Sequence, residues 1–317
     1  MFVSVVIPLY NKQRWIASAV QSVLAQSHRE FELIIVDDGS TDESVAVVKS
    51  IHDTRIRVIR QKNHGVSVAR NRGVYEALSE WVAFLDADDR WDPRFLERCA
   101  KLRMRHGGVL LGSNTRLGDS GRTAFPEEGV NPWVIDDFCA AALEREYPPI
   151  ANASCVVYKA ALLRAGGFPR GVPLGEDTDT WMRLSLQGKF ILDRDPLIHY
   201  EMGDEESAVS RLVPKCGPAF PPSAATYRRL KGQMPSARRK TMHSYVKFGL
   251  RQCLDLARHQ GDWKGILKVF RHHADVGGAS LLFYFVRQSC LRGYHLLRSC
   301  VALRSRLRGL RPVSSDN

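Results

Sequence analysis

Three groups of acidic residues in this sequence have the types and spacing to do chemistry. Asp86-Ala87-Asp88-Asp89 follows an apolar run, 81–85, that reads as a strand. Residues i and i+2 face the same side while the chain stays extended, so Asp86 and Asp88 present two carboxylates together. Such a pair holds a hard divalent cation, Mg²⁺ or Mn²⁺, with substrate phosphates completing the shell. The same four residues also suit an acidic turn that caps the next helix. Asp37-Asp38-Gly39-Ser40-Thr41-Asp42 forms a second group. It reads as a strand-to-helix turn, with Gly39 supplying φ > 0 and Thr41 or Asp42 as the cap. In that turn Asp38 can also accept a hydrogen bond from the imide N–H of a base. Glu176-Asp177, after Gly175, opens a helical pattern. The helix dipole favours acids there, and one carboxylate is suited to deprotonating an attacking hydroxyl. Two further side chains join them. Arg70 is a candidate partner for phosphates or a base. His199 is either a packed strand residue or a metal or phosphate partner.

These groups need elements that bring them together. Residues 3–7 are a continuous apolar run stopped by Pro8, which predicts a buried strand. Trp15, Ile16, Ala19, Val20, Val23 and Leu24 recur at helical spacing. Residues 31–36 predict a second buried strand, and Val45, Val47 and Val48 a helix after the turn. Residues 55–59 alternate as a strand, Gly65 opens a helix over 66–78, and 81–85 predict another strand. Pro93 suits the first turn of a helix reaching about residue 104. This alternation predicts an α/β fold, a mostly parallel sheet with helices on both faces. Ligands of such sheets bind outside the carboxyl ends of the strands. Pro8-Leu9-Tyr10-Asn11 and the two aspartate turns all fall there. Residues 113–150 show weak periodicity and predict a long loop or insertion able to cover a bound substrate. Beyond it, 154–158 predict a strand, Trp181, Leu184 and Leu186 a helix, and 190–192 and 197–200 two short strands.

The chain has 317 residues, 44% of them hydrophobic, enough for one large α/β domain with an appendage or for two ordinary domains. Its net charge of +12 is uneven. Residues 223–317 hold 19 Lys and Arg against 4 Asp and Glu, whereas 1–222 hold 27 against 30. Seven scattered cysteines without a Cys-x-x-Cys pair give no zinc or disulfide pattern and fit a reducing compartment. The first residues lack the pattern of a signal peptide, and no run of 18 apolar residues occurs. A cytoplasmic protein is expected. No glycine follows the first strand within Pro8-Leu9-Tyr10-Asn11-Lys12, which argues against a Rossmann dehydrogenase and against nucleotidyltransferases with glycine-rich phosphate loops.

VSVVIPLYNK, ELIIVDDGSTD, GVSVARNRG, VAFLDADD and GEDTDTWMRL occur in one order over roughly residues 2–200. The set resembles the family 2 glycosyltransferases, whose fold is GT-A, a Rossmann-like sheet flanked by helices. The resemblance implies a metal-dependent, nucleotide-sugar-dependent, non-processive transferase that inverts the anomeric centre. It places Pro8, Tyr10, Asn11 and Ala87 in the nucleotide pocket. Asp38, and with it Asp37, would contact the base, often uracil in this family, and Arg70 would sit near the base or phosphates. Asp86 would touch the ribose or metal, Asp88 the metal, and Asp177 would be the base, with Glu176 as its neighbour and substitute. The implied donor is a UDP-sugar, with hexosyl or N-acetylhexosaminyl transfer. The implied acceptor is a glycan or lipid-linked glycan of bacterial surface polysaccharide assembly (lipopolysaccharide, capsule or exopolysaccharide). There are departures. Arg183-Leu184 stand where processive synthases carry a QxxRW-type signature, so single-sugar addition is expected. The stretch from His199 to Ser207 is acidic where relatives are basic. A catalytically inactive nucleotide-sugar-binding module of the same fold is the alternative reading.

The expected organisation is a catalytic domain over 1–213, a proline-rich linker over 214–222 and a basic helical region over 223–317. Between 280 and 310, Leu281, Leu282, Phe285, Leu291, Tyr294, Leu297, Val301 and Leu307 interleave with six arginines. That is the pattern of an interfacial helix, or of a helix packed with a solvated basic face. The first predicts an anionic membrane surface as partner, at the inner face of the cytoplasmic membrane. No nucleic-acid module is recognisable.

Overall fold

A computed structural model describes residues 1–150, 154–202 and 222–290. The chain divides into two units, Met1–Ser207 and Ala208–Asn317. Of the expected features, residues 214–221 of the linker, 203–207 of the acidic stretch and the basic segment beyond 290 lie outside the described residues.

The first unit begins with β1 (Val3–Leu9), α1 (Ile16–Leu24), β2 (Phe31–Asp37), α2 (Ser44–Lys49), β3 (Ile56–Arg60), α3 (Val66–Glu76) and β4 (Trp81–Phe84). β1 is buried along its whole length, as an inner parallel strand covered on both faces must be. β3, β2, β1 and β4 lie side by side and all parallel. Leu9 pairs with Asp37, and Asp37 with Arg60, so the carboxyl ends of β1, β2 and β3 finish level.

Beyond β4 the sheet becomes mixed. The chain continues through β5 (Arg90–Trp91), α4 (Phe95–His106), β6 (Leu110–Leu117), β7 (Trp133–Ile135), α5 (Phe138–Arg145), β8 (Cys155–Tyr158), α6 (Lys159–Arg164), α7 (Glu176–Leu184) and β9 (Phe190–Tyr200). β8 runs antiparallel to β4 and β6, β9 runs parallel to β6, and β5 and β7 pair antiparallel with β9.

The loop expected over 113–150 is therefore corrected: it holds most of β6, β7 and α5. Its buried residues carry polar side chains, which hides the period of two. Asn114 is buried and fully used: its Nδ2 donates to Phe125 O at 2.6 Å, and its Oδ1 accepts from Phe125 N at 3.1 Å. That clamp fastens the following loop to the strand. The two short strands expected over 190–200 are one strand, β9, whose register on β6 shifts around Ser113 and Asn114.

The second unit holds α8 (Ser223–Leu230), α9 (Ser236–His259) and α10 (Trp263–Cys290), the last broken by non-helical backbone at His273 and Gly277. Its own core gathers Val246, Leu250, Leu254, Ile266, Val269, Phe270, Leu281 and Phe285.

α3 lies against β1 at Gly73, where an added Cβ would come within 2.3 Å of Val6 Cγ1. Val6 is in the central strand, so neither side can retreat. Overpacking of this kind costs about 1–3 kcal/mol. Gly73→Ala is expected to lower the unfolding free energy by that amount in urea titration. Gly232→Ala, with open space around it, is expected to change it by less than about 0.5 kcal/mol.

Candidate active site

The loops at the carboxyl ends of β1 and β2 are zipped together by main-chain donors. Asn11 N donates to Ser40 Oγ at 3.1 Å, Thr41 N to Asn11 Oδ1 at 2.8 Å, and Lys12 N to Ser44 Oγ at 2.8 Å. Asn11 has φ = 51°, a left-handed conformation that a short polar side chain tolerates. Pro8 is buried within β1, while Tyr10 and Asn11 are half-buried at its end.

Asp37 and Asp38 are both buried and both engaged by the chain itself. Asp37 Oδ1 accepts from Ser40 N at 2.9 Å and its Oδ2 from Arg60 Nε at 2.9 Å. Asp38 Oδ1 accepts from Gln61 Nε2 at 2.7 Å and His64 N at 3.0 Å, and its Oδ2 from Gly65 N at 2.8 Å. Asp38 thus anchors the start of α3, where a negative charge also suits the helix dipole. The turn is present, with Gly39 at φ = 80°, but the expected cap is corrected: α2 starts after Glu43, not after Thr41 or Asp42, and no Glu43 side-chain bond caps it.

Arg70, expected beside phosphates or a base, is held by two carboxylates. It is 3% exposed, and its Nη2 donates to Asp86 Oδ1 at 2.7 Å while Nη1 donates to Glu176 Oε1 at 2.8 Å. Burial opposes its charge, but Asp86 and Glu176 more than offset this, so its pKa rises. The guanidinium lies 5.3 Å from the Phe168 ring centroid. The next residue, Asn71, takes Phe168 N–H on Oδ1 at 2.9 Å and gives Nδ2 to Phe168 O at 2.8 Å. Arg72 is a surface residue paired with Glu76 at 2.7 Å. One helix therefore reaches the end of β2, the end of β4 and the segment that leads into α7.

After β4, Asp86 and Asp88 emerge half-buried and Asp89 buried. Lys12 Nζ meets Asp88 Oδ2 at 2.7 Å. Burial raises the Asp88 pKa; Lys12 pulls it down and Asp86 pushes it up. Asp89 is raised well above the carboxylate range by burial and by Asp86 and Asp88. Its Oδ1 accepts from Glu201 N at 3.1 Å, and its Oδ2 is buried without a partner. An all-carboxylate donor set under mutual repulsion, with one orphaned oxygen, fits a hard divalent cation. Among the described residues no three Asp, Glu, His or Cys side chains form a ready-made cage.

Ala87, between Asp86 and Asp88, is buried and packs with the core. His199 pairs in register with Arg90 on one side and Arg116 on the other, a cationic setting that disfavours a metal. Its neighbour Tyr200 is the residue that feels the cluster: burial, then Asp89, Asp86 and Asp88, raise its phenol. Alternation along a strand turns His199 the other way.

Glu176 and Asp177 occupy the first turn of α7, after Gly175 at φ = 79°. Glu176 is buried and bound to Arg70. Asp177 is pushed up to about 7 by burial and by the Glu176 carboxylate, against the pull of Arg70 and of Thr178 N–H. Tyr147 is raised by burial and by Asp177. The helix is locked behind by a buried Asp179–Arg183 pair at 2.8 Å, with Arg183 also donating to Ala165 O. The acidic groups of β4 and α7 thus join in one network through Arg70, and Lys12 ties in the loop after β1. Lys12, Gln61, Asn71, Phe168 and Tyr200 take part without having been singled out from sequence, and Asp89 was read there only as part of the acidic turn. The contacts of the others depend on tertiary pairing.

Residues 4–155 match the family model of glycosyl transferase family 2. An uncharacterised glycosyltransferase of Rickettsia felis is 32% identical over 194 residues, which cover 58% of this chain and 30% of that protein. The putative teichuronic acid biosynthesis glycosyltransferase TuaG of Bacillus subtilis is 43% identical over 105 residues, 32% of this chain and 42% of that one. The chain thus spans less than half the length of these relatives. Among solved structures, S. aureus TarS 1-349 in complex with UDP-GlcNAc superposes with a TM-score of 0.72 at 17% identity, over 90% of this chain and 84% of that one. The mannosyltransferase PcManGT of Pyrobaculum calidifontis, in complex with GDP-Man and Mn²⁺, gives a TM-score of 0.58 at 15% identity, over 96% and 84%. At these identities the structural likeness speaks for the fold. Residues 4–155 thus carry the glycosyl transferase family 2 match, and the sheet that holds them has the GT-A fold.

Proposed function

We propose that this protein transfers one sugar from a nucleotide-sugar donor to a hydroxyl of a glycan or lipid-linked acceptor, with inversion. The observation that carries this reading is the Asp177 carboxyl, pushed up to about 7, joined through Glu176 and Arg70 to the acidic rim at Asp86. A group titrating near the working pH is suited to general-base work. Asp177 takes the proton of the acceptor hydroxyl as its oxygen bonds to the anomeric carbon. The bond from that carbon to the diphosphate breaks on the opposite side, and the electron pair leaves with the nucleoside diphosphate. Asp86 and Asp88 would hold a divalent cation, Mn²⁺ or Mg²⁺, that neutralises the leaving diphosphate when bound. Lys12, already against Asp88, adds a second positive charge at that rim.

The donor in this reading is a UDP-sugar delivering a hexosyl or N-acetylhexosaminyl group. Bound UDP-GlcNAc in one structural relative supports it, although GDP-Man in another shows that the fold accepts either base. Bacterial surface polysaccharide assembly is the proposed setting, supported by the teichuronic acid relative. The second unit supplies a surface for anionic lipid. Residues 222–290 carry 13 Lys and Arg against 3 Asp and Glu. All three acids are used internally: Asp255 by Tyr284 and Arg258, Asp262 by Gly265 N, and Asp275 by Arg228. Phe283 adds an exposed ring. Among the described residues no helix is long and apolar enough to cross a membrane, so association at the inner leaflet is the form proposed.

Three outcomes are expected. In thermal-shift assays one nucleotide class stabilises the protein, more so with Mn²⁺, and Asp88→Ala removes the metal-dependent increment. Saturation at 100 times Kd corresponds to about 2.7 kcal/mol. A nucleotide that binds without any turnover across a donor panel would instead mark an inactive module. The rate of transfer rises with pH through an ionisation near 7, because Asp177 works only when deprotonated. Asp177→Asn abolishes that limb and lowers kcat by at least about 100-fold. Glu176→Gln removes a like charge and moves the limb to lower pH; a rate flat from pH 5 to 8 contradicts the assignment. In vesicle co-sedimentation the full chain binds phosphatidylglycerol-containing membranes and is released by salt, whereas equal binding to neutral vesicles contradicts the electrostatic account.

A further inference from the structure

Arg70 occupies an unusual position for an ion-pairing residue. Its one charge is shared by carboxylates from two elements, Asp86 after β4 and Glu176 at the start of α7, at 2.7 and 2.8 Å. The guanidinium is buried, lies over Phe168, and its Nε is buried without a partner. These two carboxylates hold its terminal nitrogens. The loop entering α7 is fastened to the same helix by the two-way Asn71–Phe168 clamp. A displacement at Asp86 therefore has a stiff path to Glu176, and through it to Asp177.

We propose that Arg70 is a positioning residue that couples donor loading at Asp86 to the placement of the Glu176-Asp177 turn. The coupling rests on the donor-binding role proposed for Asp86. When Asp86 engages the donor's cation or ribose, its hold on Arg70 weakens, and the guanidinium bears more fully on Glu176. The first turn of α7 is then held more tightly when a donor is present than when it is not. Lysine keeps the charge but lacks the planar fork that reaches two carboxylates at once.

The test is hydrogen exchange of residues 165–184, with and without UDP and Mn²⁺ (GDP where UDP does not bind), in the full wild-type chain and in Arg70→Lys. Kd, kcat and KM are measured alongside. In the wild type, nucleotide is expected to slow exchange in this segment by about threefold or more. In Arg70→Lys the nucleotide Kd stays within about threefold, the nucleotide-dependent protection is lost, and kcat falls by about 30-fold. A merely structural role would change exchange equally with and without nucleotide. Retained protection with unchanged kcat overturns the proposal. So does a Kd that weakens in step with kcat, which would make Arg70 a donor ligand. Should Arg70→Lys fail to fold, Glu176→Gln cuts the link from the other end: it is expected to bind nucleotide as the wild type does and to lose the protection, and protection that persists overturns the proposal. A wild type that binds no nucleotide overturns the donor reading and the coupling with it. A wild type that binds without any response at 165–184 overturns the coupling alone.

Discussion

A buried guanidinium between two carboxylates is the constraint on which this site depends. An unpaired charge in the interior costs several kcal/mol, and removing one partner of a buried pair is strongly destabilising. Arg70 therefore has to keep Asp86 and Glu176 close, and in doing so it fixes the separation between the end of β4 and the start of α7. Arg70 and Glu176 stand 106 residues apart in sequence. A single side chain makes the two acidic motifs one site.

The rest of the first unit serves that placement. Parallel β1, β2 and β4 end on one side of the sheet, and the loops after β1 and β2 are bonded to each other. α3 is seated by Gly73 on Val6 and held at its start by the Asp38 carboxylate. With both constraints met, Arg70 and Asn71 fall on the face that looks toward α7. Within Arg70-Asn71-Arg72-Gly73 each residue then does something different. Arg70 bridges two carboxylates, Asn71 clamps Phe168, Arg72 pairs with Glu76 at the surface, and Gly73 allows the close approach to Val6. At the cluster, Asp88 is paired with Lys12 and Asp86 with Arg70, while burial and its acidic neighbours hold Asp89 in the neutral form. A cation entering there has to compete with Lys12 and Arg70 for these carboxylates.

The parallel half of the fold was legible because β1, β2 and β4 are largely apolar runs and α1 is short and amphipathic. Residues 3–7, 31–36 and 81–85 had nothing else to be. The half beyond β4 was not. β6 places Ser113, Asn114 and Thr115 in the interior, where their polarity is met by main-chain partners, so no hydrophobic period shows. Motif spacing located the carboxylates of the site correctly on strand ends and a helix start. It could not tell which of them face a ligand and which are used by the chain. Asp38 is filled by Gln61, His64 and Gly65, Arg70 by two carboxylates, and His199 stands between arginines, all through partners distant in sequence. Asp89 carries the reverse lesson: an acid beside the motif, easily passed over as a cap, is the most deeply buried of the cluster.

The most direct test is a crystal structure of the full chain with a nucleotide sugar and Mn²⁺. The account predicts the diphosphate at the rim formed by Lys12, Asp86 and Asp88. It also predicts Asp177 on the far side of the anomeric carbon, with room for an acceptor oxygen about 3 Å from its carboxylate. A donor seated on another face of the sheet, or an Asp177 carboxylate turned away from the anomeric carbon, would contradict it.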